Sequence, residues 1–297
     1  MTSAGFIGLA GRPNAGKSTL VNAIVGTRVA IVSERPQTTR RAVRGVATDE
    51  KAGWQLVLID LPGVQRPRDA LTQRMQRRVE RELAGSDVAL MVINGTEGVG
   101  PGDRFIAKAL LSANAAVPVI CAVNKIDLLG PGQTTEVLAA AAELEAVDEI
   151  FPISAKSPSG LEPLIGRLAE LVPEGPFMYE AGQHSDQPSE VLLAELIREQ
   201  VLMRTREELP HAVEVDVSEV ETREDGLTEV KAHIWAETDS QKSILIGRGG
   251  RKIKEIGTGA RTELERELDG KVFLDLKVRV RAHWRRDDAL LDRLGID

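Results

Sequence analysis

Two glycine loops hold most of the residues in this chain that could do chemistry. The first, GRPNAGKST at Gly11–Thr19, fits G-x-x-x-x-G-K-[ST] and lies between an apolar run and a helical pattern. In that context backbone N–H groups aim inward at a helix N-terminus and can wrap a phosphate. Asn14, Ala15, Gly16, Lys17, Ser18 and Thr19 are the candidate phosphate contacts. Lys17 is expected to reach the β- and γ-phosphates, Ser18 to ligate Mg²⁺, and Gly16 to leave room for the anion. The second loop, GRGG at Gly247–Gly250, lacks the Gly-Lys-Ser ending and is flanked by helical patterns on both sides. A G-x-x-G turn between helices lets the backbone approach a single-stranded RNA backbone. Arg248, Arg251, Lys252 and Lys254 can neutralise its phosphates, while Ile244 and Ile246 offer an apolar groove for bases.

The first loop alone does not separate ATP from GTP. NKID, Asn124–Asp127, follows an apolar strand pattern, and a carboxylate at Asp127 can accept from guanine N1–H and the exocyclic amine, a donor pair adenine lacks. Asn124 can brace the loop, and the Lys125 stem can cover the ring. In ISAK, Ser154, Ala155 and Lys156 follow the sixth strand pattern, and the Ala155 N–H is placed at guanine O6. DLPG ends another strand pattern: Asp60 supports Mg²⁺ from one ligand out, and the Gly63 N–H senses a γ-phosphate. In PQTTR, Thr39 is the chosen Mg²⁺-binding hydroxyl, with Thr38 the competitor. Lys17, Thr39 and Gly63 are therefore the candidate catalytic group.

These motifs need strands and helices to carry them. Residues 5–172 alternate six apolar strand patterns with helical ones at 17–26, 72–84, 101–112, 133–145 and 160–172. That is an α/β fold with a doubly wound, mainly parallel sheet. Residues 173–190 have three prolines, two glycines and no apolar period, which predicts a linker between a nucleotide domain at 1–172 and a second domain at 191–297. The second domain reads α-β-β-α-α-β: a long helix stopped by Pro210, a hairpin turning at Glu224–Gly226, helices around GRGG, a last strand, and a small helix over 287–294.

GRPNAGKST, PQTTR, DLPG, NKID and ISAK resemble the five guanine-nucleotide motifs of translation-factor-related GTPases, and with SQKSILIGRGGRKIKEIG the whole chain resembles the Era family. That resemblance implies a GTPase domain joined to an RNA-binding KH domain of the type II order. It implies Mg²⁺ with GTP or GDP, and GTP hydrolysis as the timer of contact with small-subunit ribosomal RNA in the assembling small ribosomal subunit. A cytoplasmic monomer is expected, with basic C-terminal residues that could meet a membrane surface although no amphipathic helix compels it. The chain departs from the family's usual motifs at Leu61 and at Ala15, whose phosphate contact is through its backbone N–H, so neither side-chain change removes a contact assigned to phosphate, metal or base. Val64 stands where Ras-like enzymes place a water-orienting glutamine, and Gln65 is one residue late, so slow intrinsic turnover is implied. Asn14 stays open between a K⁺ ligand near the phosphates and a loop brace.

Composition sets the outer limits. Among 297 residues, 42% are hydrophobic and 28% charged, which is globular rather than disordered. Cys121 is the only cysteine, so neither an intrachain disulfide nor a Cys-rich metal site can form. The opening MTSAGFIGLAG lacks a basic n-region and reads as a first strand rather than a signal peptide. The net charge of −7 opposes indiscriminate nucleic-acid binding, yet from Lys231 onward 15 basic residues face 12 acidic ones. His184, His211, His233 and His283 lack metal-ligand spacing, and Trp54 and Trp235 read as packing residues. A P-loop ATPase or kinase, and a module holding GTP only as a structural ligand, are the rival classes.

Overall fold

Val88–Asn94 is apolar at nearly every position and buried along its length, as a central strand of a parallel sheet covered on both faces must be. The computed structural model of the chain describes all residues except 34–37, 64–68, 114–115, 158, 206–208, 295 and 297. Within it the chain groups into two units, 1–30 with 39–68 and 72–186, and 31–38 with 69–71 and 187–297.

The first unit runs β1 (Ser3–Gly11), α1 (Lys17–Val25), β2 (Val43–Asp49), β3 (Trp54–Asp60), α2 (Ala70–Ala84), β4 (Val88–Asn94), α3 (Pro101–Ala113), β5 (Val119–Asn124), α4 (Pro131–Ala142), β6 (Glu149–Pro152) and α5 (Leu161–Leu171). Its six strands lie in the order β2-β3-β1-β4-β5-β6, parallel except for β2, which runs antiparallel to β3. Alternation along the strands sorts two cores. Leu56 and Leu58 face one with Leu20 of α1 and Leu164 of α5, while Ile59 faces the other with Val79 of α2 and Ile106 of α3. GRPNAGKST, DLPG, NKID and ISAK follow the C-terminal ends of β1, β3, β5 and β6, where doubly wound sheets bind ligands, and Thr39 precedes β2, whose first residue Val43 pairs with Asp60 at the end of β3.

Residues 173–186, read from the sequence as linker, pack on this unit. His184 O accepts from Val46 N (2.8 Å) and Ser185 pairs with Gly45, covering the free edge of β2. Gln55, fully buried, accepts at Oε1 from the backbone N–H groups of Met178 and Tyr179 and donates to the Tyr179 carbonyl. Backbone pairing of this kind leaves no apolar period to read.

The second unit runs α6 (Ser189–Arg204), α7 (Leu209–Ala212), β7 (Glu214–Thr222), β8 (Thr228–Ala236), α8 (Asp239–Ile246), α9 (Arg251–Glu267), β9 (Val272–Val280) and α10 (Asp288–Arg293). β7 and β8 form an antiparallel hairpin, and β9 adds parallel to β8 after the α8–α9 crossover. The expected α-β-β-α-α-β order is present with one change: α6 ends at Arg204 instead of running to Pro210. Thr205 is extended there, its hydroxyl donates to the Val201 carbonyl (2.7 Å), and Pro210 falls inside the short α7, near its start, where a missing N–H costs little. The core joins Leu196, Ile197 and Val201 of α6 with Val215, Val230, Ile234, Ile256, Ala260 and Leu264. Trp284 is fully buried and donates to the Ala212 carbonyl (2.9 Å).

Candidate nucleotide site and second glycine loop

β1 delivers the chain into a tight loop in which Asn14 (φ 62°) and Gly16 (φ 97°) both adopt left-handed backbone before α1 begins at Lys17. That geometry turns successive N–H groups toward one point. Lys17 is buried, and its Nζ donates to the carbonyls of Gly11 (3.1 Å) and Arg12 (3.3 Å). Burial pulls its ammonium below the usual range, and the Asp60 carboxylate partly offsets this. A polyphosphate would supply the opposite charge that the buried ammonium needs. Gly63 comes so close to the loop that a Cβ there would meet Pro13 N at 2.9 Å, so DLPG rests directly on the phosphate loop.

Ser18, Thr39 and Asp60 converge. Ser18 Oγ donates to Asp60 Oδ2 (2.6 Å), lies 3.1 Å from Thr39 Oγ1, and Thr39 Oγ1 donates to the same carboxylate oxygen (3.2 Å). Two hydroxyls, with one buried carboxylate behind them accepting from both, are hard oxygens of the kind Mg²⁺ takes. Thr38, the competitor, has its carbonyl engaged by Arg198 and lies in the second unit.

The base side is built around Asn124, the last residue of β5. Its Nδ2 donates to the Ala15 carbonyl (3.0 Å), and its Oδ1 accepts from the N–H groups of Lys125 (2.8 Å) and Ala155 (3.0 Å). The Ala155 N–H, expected at guanine O6, thus braces Asn124 in this structure. Lys125 Nζ donates to the Asn14 carbonyl (2.8 Å), tying the base loop to the phosphate loop a second time. Asp127 is exposed, with Oδ1 accepting from Ser154 Oγ (2.6 Å), which aims the carboxylate. Lys156 is exposed at the rim.

The second loop is a helix–turn–helix. Thr238 caps α8 through its hydroxyl (3.2 Å from Gln241 N), and Gly247 (φ 71°), Gly249 (φ 61°) and Gly250 (φ 78°) turn the chain into α9. A Cβ on Gly247 would meet Lys252 Cβ at 2.7 Å, whereas Gly249 and Gly250 look into open space. Arg248, Gly249, Arg251 and Lys254 are exposed, Lys252 and Gly250 half-buried, and Gly247, Arg248, Arg251, Lys252 and Glu255 line an open hollow. Leu245 is buried in the core, while Ile244 is 55% exposed and Ile246 half-buried, so apolar surface stands beside the cationic turn.

Residues 6–125 match the family model of a 50S ribosome-binding GTPase, and residues 208–285 match that of a KH domain. GTPase Era of Mycobacterium tuberculosis is 45% identical over 295 residues, 98% of each chain, and GTPase Era of Mycobacterium sp. strain KMS is 44% identical over 294 residues, again 98% of each. The chain belongs to the Era family of GTPases. The family resemblance read from its motifs is borne out, and so is the pairing of a P-loop GTPase fold with a KH domain. A crystal structure of Era with MgGDPNP and nucleotides 1506–1542 of 16S ribosomal RNA superposes with a TM-score of 0.94 at 34% identity, covering 100% of this chain and 99% of that one. A variant of Aquifex aeolicus Era bound to GDP and AlF4⁻ gives 0.94 at 33% identity, covering 99% of each.

The structure thus brings Asn14 through Thr19, Thr39, Asp60, Gly63, Asn124, Lys125, Asp127, Ser154 and Ala155 to one end of one sheet. Val64 and Gln65, on which the water-orienting question turned, lie outside the described residues. Sequence reasoning missed Arg12. Its guanidinium meets Asp103 (2.9 Å), Glu97 (3.0 Å) and the Gly98 carbonyl (3.1 Å), holding the phosphate loop to the start of α3. Only its place inside the glycine motif could have drawn attention to it, since its partners lie more than 80 positions along the chain. Among the described residues no group of three or more His, Cys, Asp or Glu could hold a metal, and no helix is long and apolar enough to cross a membrane.

Proposed function

We propose that this GTPase binds small-subunit ribosomal RNA through its KH loop, and that its nucleotide state controls that contact during small-subunit assembly. The observation that carries the reading is the pair of loops within one Era-family chain: a phosphate loop tied to a base loop, and a GRGG turn with exposed cations beside exposed apolar side chains. The related Era captured with MgGDPNP and a 16S segment supports the extension to this chain. In this reading residues 1–172 form the GTPase domain and 191–297 the KH domain. Lys17 and the loop N–H groups hold the phosphates, and Ser18 and Thr39 ligate Mg²⁺ with Asp60 behind them. Asn124, Lys125, Asp127, Ser154 and Ala155 hold guanine, with Lys156 at its rim. Mg²⁺, when bound, neutralises charge building on the β- and γ-phosphates; the chain's own groups orient the phosphates and exclude water. Gly63 reports the γ-phosphate.

Asn14 is the K⁺ ligand if a cation replaces the glutamine that Val64 displaces. Hydrolysis then rises in K⁺ over Na⁺ at equal ionic strength, and Asn14→Ala abolishes the difference. The protein acts as a cytoplasmic monomer, with basic C-terminal residues available to a membrane surface.

Gly249→Asp tests the RNA part. The new side chain meets nothing within 4 Å in the protein, yet it places a negative charge where a phosphate must approach. It is expected to weaken binding of a 16S fragment of nucleotides 1506–1542 at least tenfold and to leave basal GTP hydrolysis unchanged. RNA binding equal to wild type reduces the loop to a helix connector.

A further inference from the structure

The side chain of Arg12 ties the phosphate loop to residues that belong to no nucleotide motif. Arg12, Asn94, Glu97, Gly98 and Asp103 all lie in the first unit. Asp103, in the first turn of α3, is fully buried; its Oδ2 lies 2.9 Å from Arg12 Nε and also accepts from the Gly100 N–H (2.9 Å). Glu97 Oε2 lies 3.0 Å from Arg12 Nη1, and its Oε1 accepts from the amide of Asn94, buried at the end of β4 (2.7 Å). Arg12 Nη2 donates to the Gly98 carbonyl (3.1 Å). Three nitrogens of one guanidinium thus meet three acceptors, and both carboxylates are themselves oriented by a second contact. The stem is confined as well, since a Cβ on Gly102 would meet Arg12 Cδ at 2.7 Å and Cγ at 3.1 Å.

The backbone of the same residue faces the phosphate site. The Arg12 carbonyl accepts from the Ala15 N–H (3.3 Å) and from Lys17 Nζ (3.3 Å), beside the Gly11 carbonyl that takes the same ammonium at 3.1 Å. Gly11 is fixed by packing, because a Cβ there would lie 2.5 Å from the Val92 carbonyl oxygen of β4. The peptides that receive Lys17 are therefore held on one side by β4 and on the other by the guanidinium. An ion pair sunk among carboxylates is a poor way merely to fasten a loop to a helix, since apolar contacts do that as well or better. A planar fork with fixed donor directions suits the setting of one residue's position. We propose that Arg12, held by Asp103, Glu97 and the Gly98 carbonyl, is a positioning residue that sets the Lys17 ammonium and the loop N–H groups on the β-phosphate, so that the grip on nucleotide depends on the 94–100 turn and the start of α3. This rests on Lys17 and the loop N–H groups holding the phosphates.

The test uses the full chain with Mg²⁺ and reads GDP affinity, by displacement of a fluorescent analogue, beside the ³¹P resonances of bound GDP. Arg12→Lys keeps the charge and loses the fork. It is expected to raise the Kd for GDP at least fivefold and to move the β-phosphate resonance while the α-phosphate resonance stays in place. A Kd within twofold of wild type with an unmoved β resonance overturns the proposal, whatever the melting temperature does, because Arg12 would then only stabilise the fold. Arg167→Lys, the same exchange where α5 pairs with Glu149 and Glu170, should move neither readout; an equal shift there also overturns it. Gly102→Ala reaches the same point without removing a charge. Its Cβ displaces the Arg12 stem, while alanine suits a helix better than glycine, so the expected rise in Kd of at least twofold would come from Arg12 and not from a weakened α3. If Arg12→Lys does not fold, Gly102→Ala decides alone, and wild-type affinity with an unmoved β resonance overturns the proposal. Lys17→Ala separates the two layers. If it weakens GDP binding and the Arg12 variant does not, the proposal alone fails; if Lys17→Ala binds GDP as wild type does, the reading of the loop fails and the proposal with it.

Discussion

Replacing Gly16 by alanine should weaken nucleotide binding through a residue 108 positions away. At φ 97° an ideal Cβ on Gly16 lies 2.3 Å from Asn124 Nδ2, where an ordinary contact begins at 3.4 Å, so the amide must retreat by about 1 Å. That retreat breaks its 3.0 Å hydrogen bond to the Ala15 carbonyl and loosens the Oδ1 that receives Lys125 and Ala155. Backbone strain at a left-handed alanine, about 1–3 kcal/mol, is present with and without ligand and shows in the melting temperature. Leaving the buried Ala15 carbonyl unpaired and the base pocket misaligned costs about 1–3 kcal/mol more, which falls on binding and corresponds to roughly 5- to 150-fold in Kd. The assay is a double-mutant cycle on GDP affinity, read by a fluorescent analogue. Once Asn124→Ala has removed the amide, Gly16→Ala should add little further loss, giving a coupling of about 1 kcal/mol or more. Additive losses, or wild-type GDP affinity in Gly16→Ala, would refute the steric argument.

Asp127→Asn should exchange guanine for xanthine preference in a competition assay, because an amide matches the reversed hydrogen-bonding pattern at C2; an unchanged GTP preference removes Asp127 from the base pocket. Cys121, fully buried, has its thiol pushed up to about 12 by burial and, secondarily, by Asp103. Its thiolate at pH 8 is thus about one part in ten thousand, and a thiol reagent should label the protein only as fast as it opens, whereas prompt labelling of native protein would contradict the burial. The unfolded thiol, at its ordinary 9.0, loses its proton first, so native stability should fall as pH rises above that value, by at most about 1.4 kcal/mol per pH unit from this group.

What the residues disclosed follows from how local each signal is. Strand β4 and helix α1 could be read because burial leaves its mark on their own residues, at every position of β4 and along the α1 face of Leu20, Val21, Ile24 and Val25. The nucleotide motifs were legible because each is a short run at a strand end. The edge cover over β2 was not, since His184 and Ser185 pair through backbone and Gln55 holds residues 178–179 by one side chain. Helix α6 was read five residues too long because nothing in its composition marks the Thr205 hydroxyl folding back on Val201. The role of the Ala155 N–H was also beyond sequence, because Asn124 and Ala155 meet only once β5 and β6 are aligned. Arg12 with Asp103, and Arg198 with Thr38, are long-range pairings whose members carry no pattern of their own.

The most direct test of a GTPase that governs its own RNA contact is binding linkage. Affinity for a 16S fragment of nucleotides 1506–1542 is measured with GDP and with a non-hydrolysable GTP analogue, and the affinities for GDP and for the analogue are each measured with and without the fragment. Linkage requires the ratio of fragment affinities in the analogue and GDP complexes to equal the factor by which the fragment tightens the analogue divided by the factor by which it tightens GDP. Fragment binding should be tighter in the analogue complex, and the fragment should tighten the analogue more than GDP by that same factor. Equal fragment affinity in the GDP and analogue complexes would contradict the account and leave two loops in one chain that do not communicate.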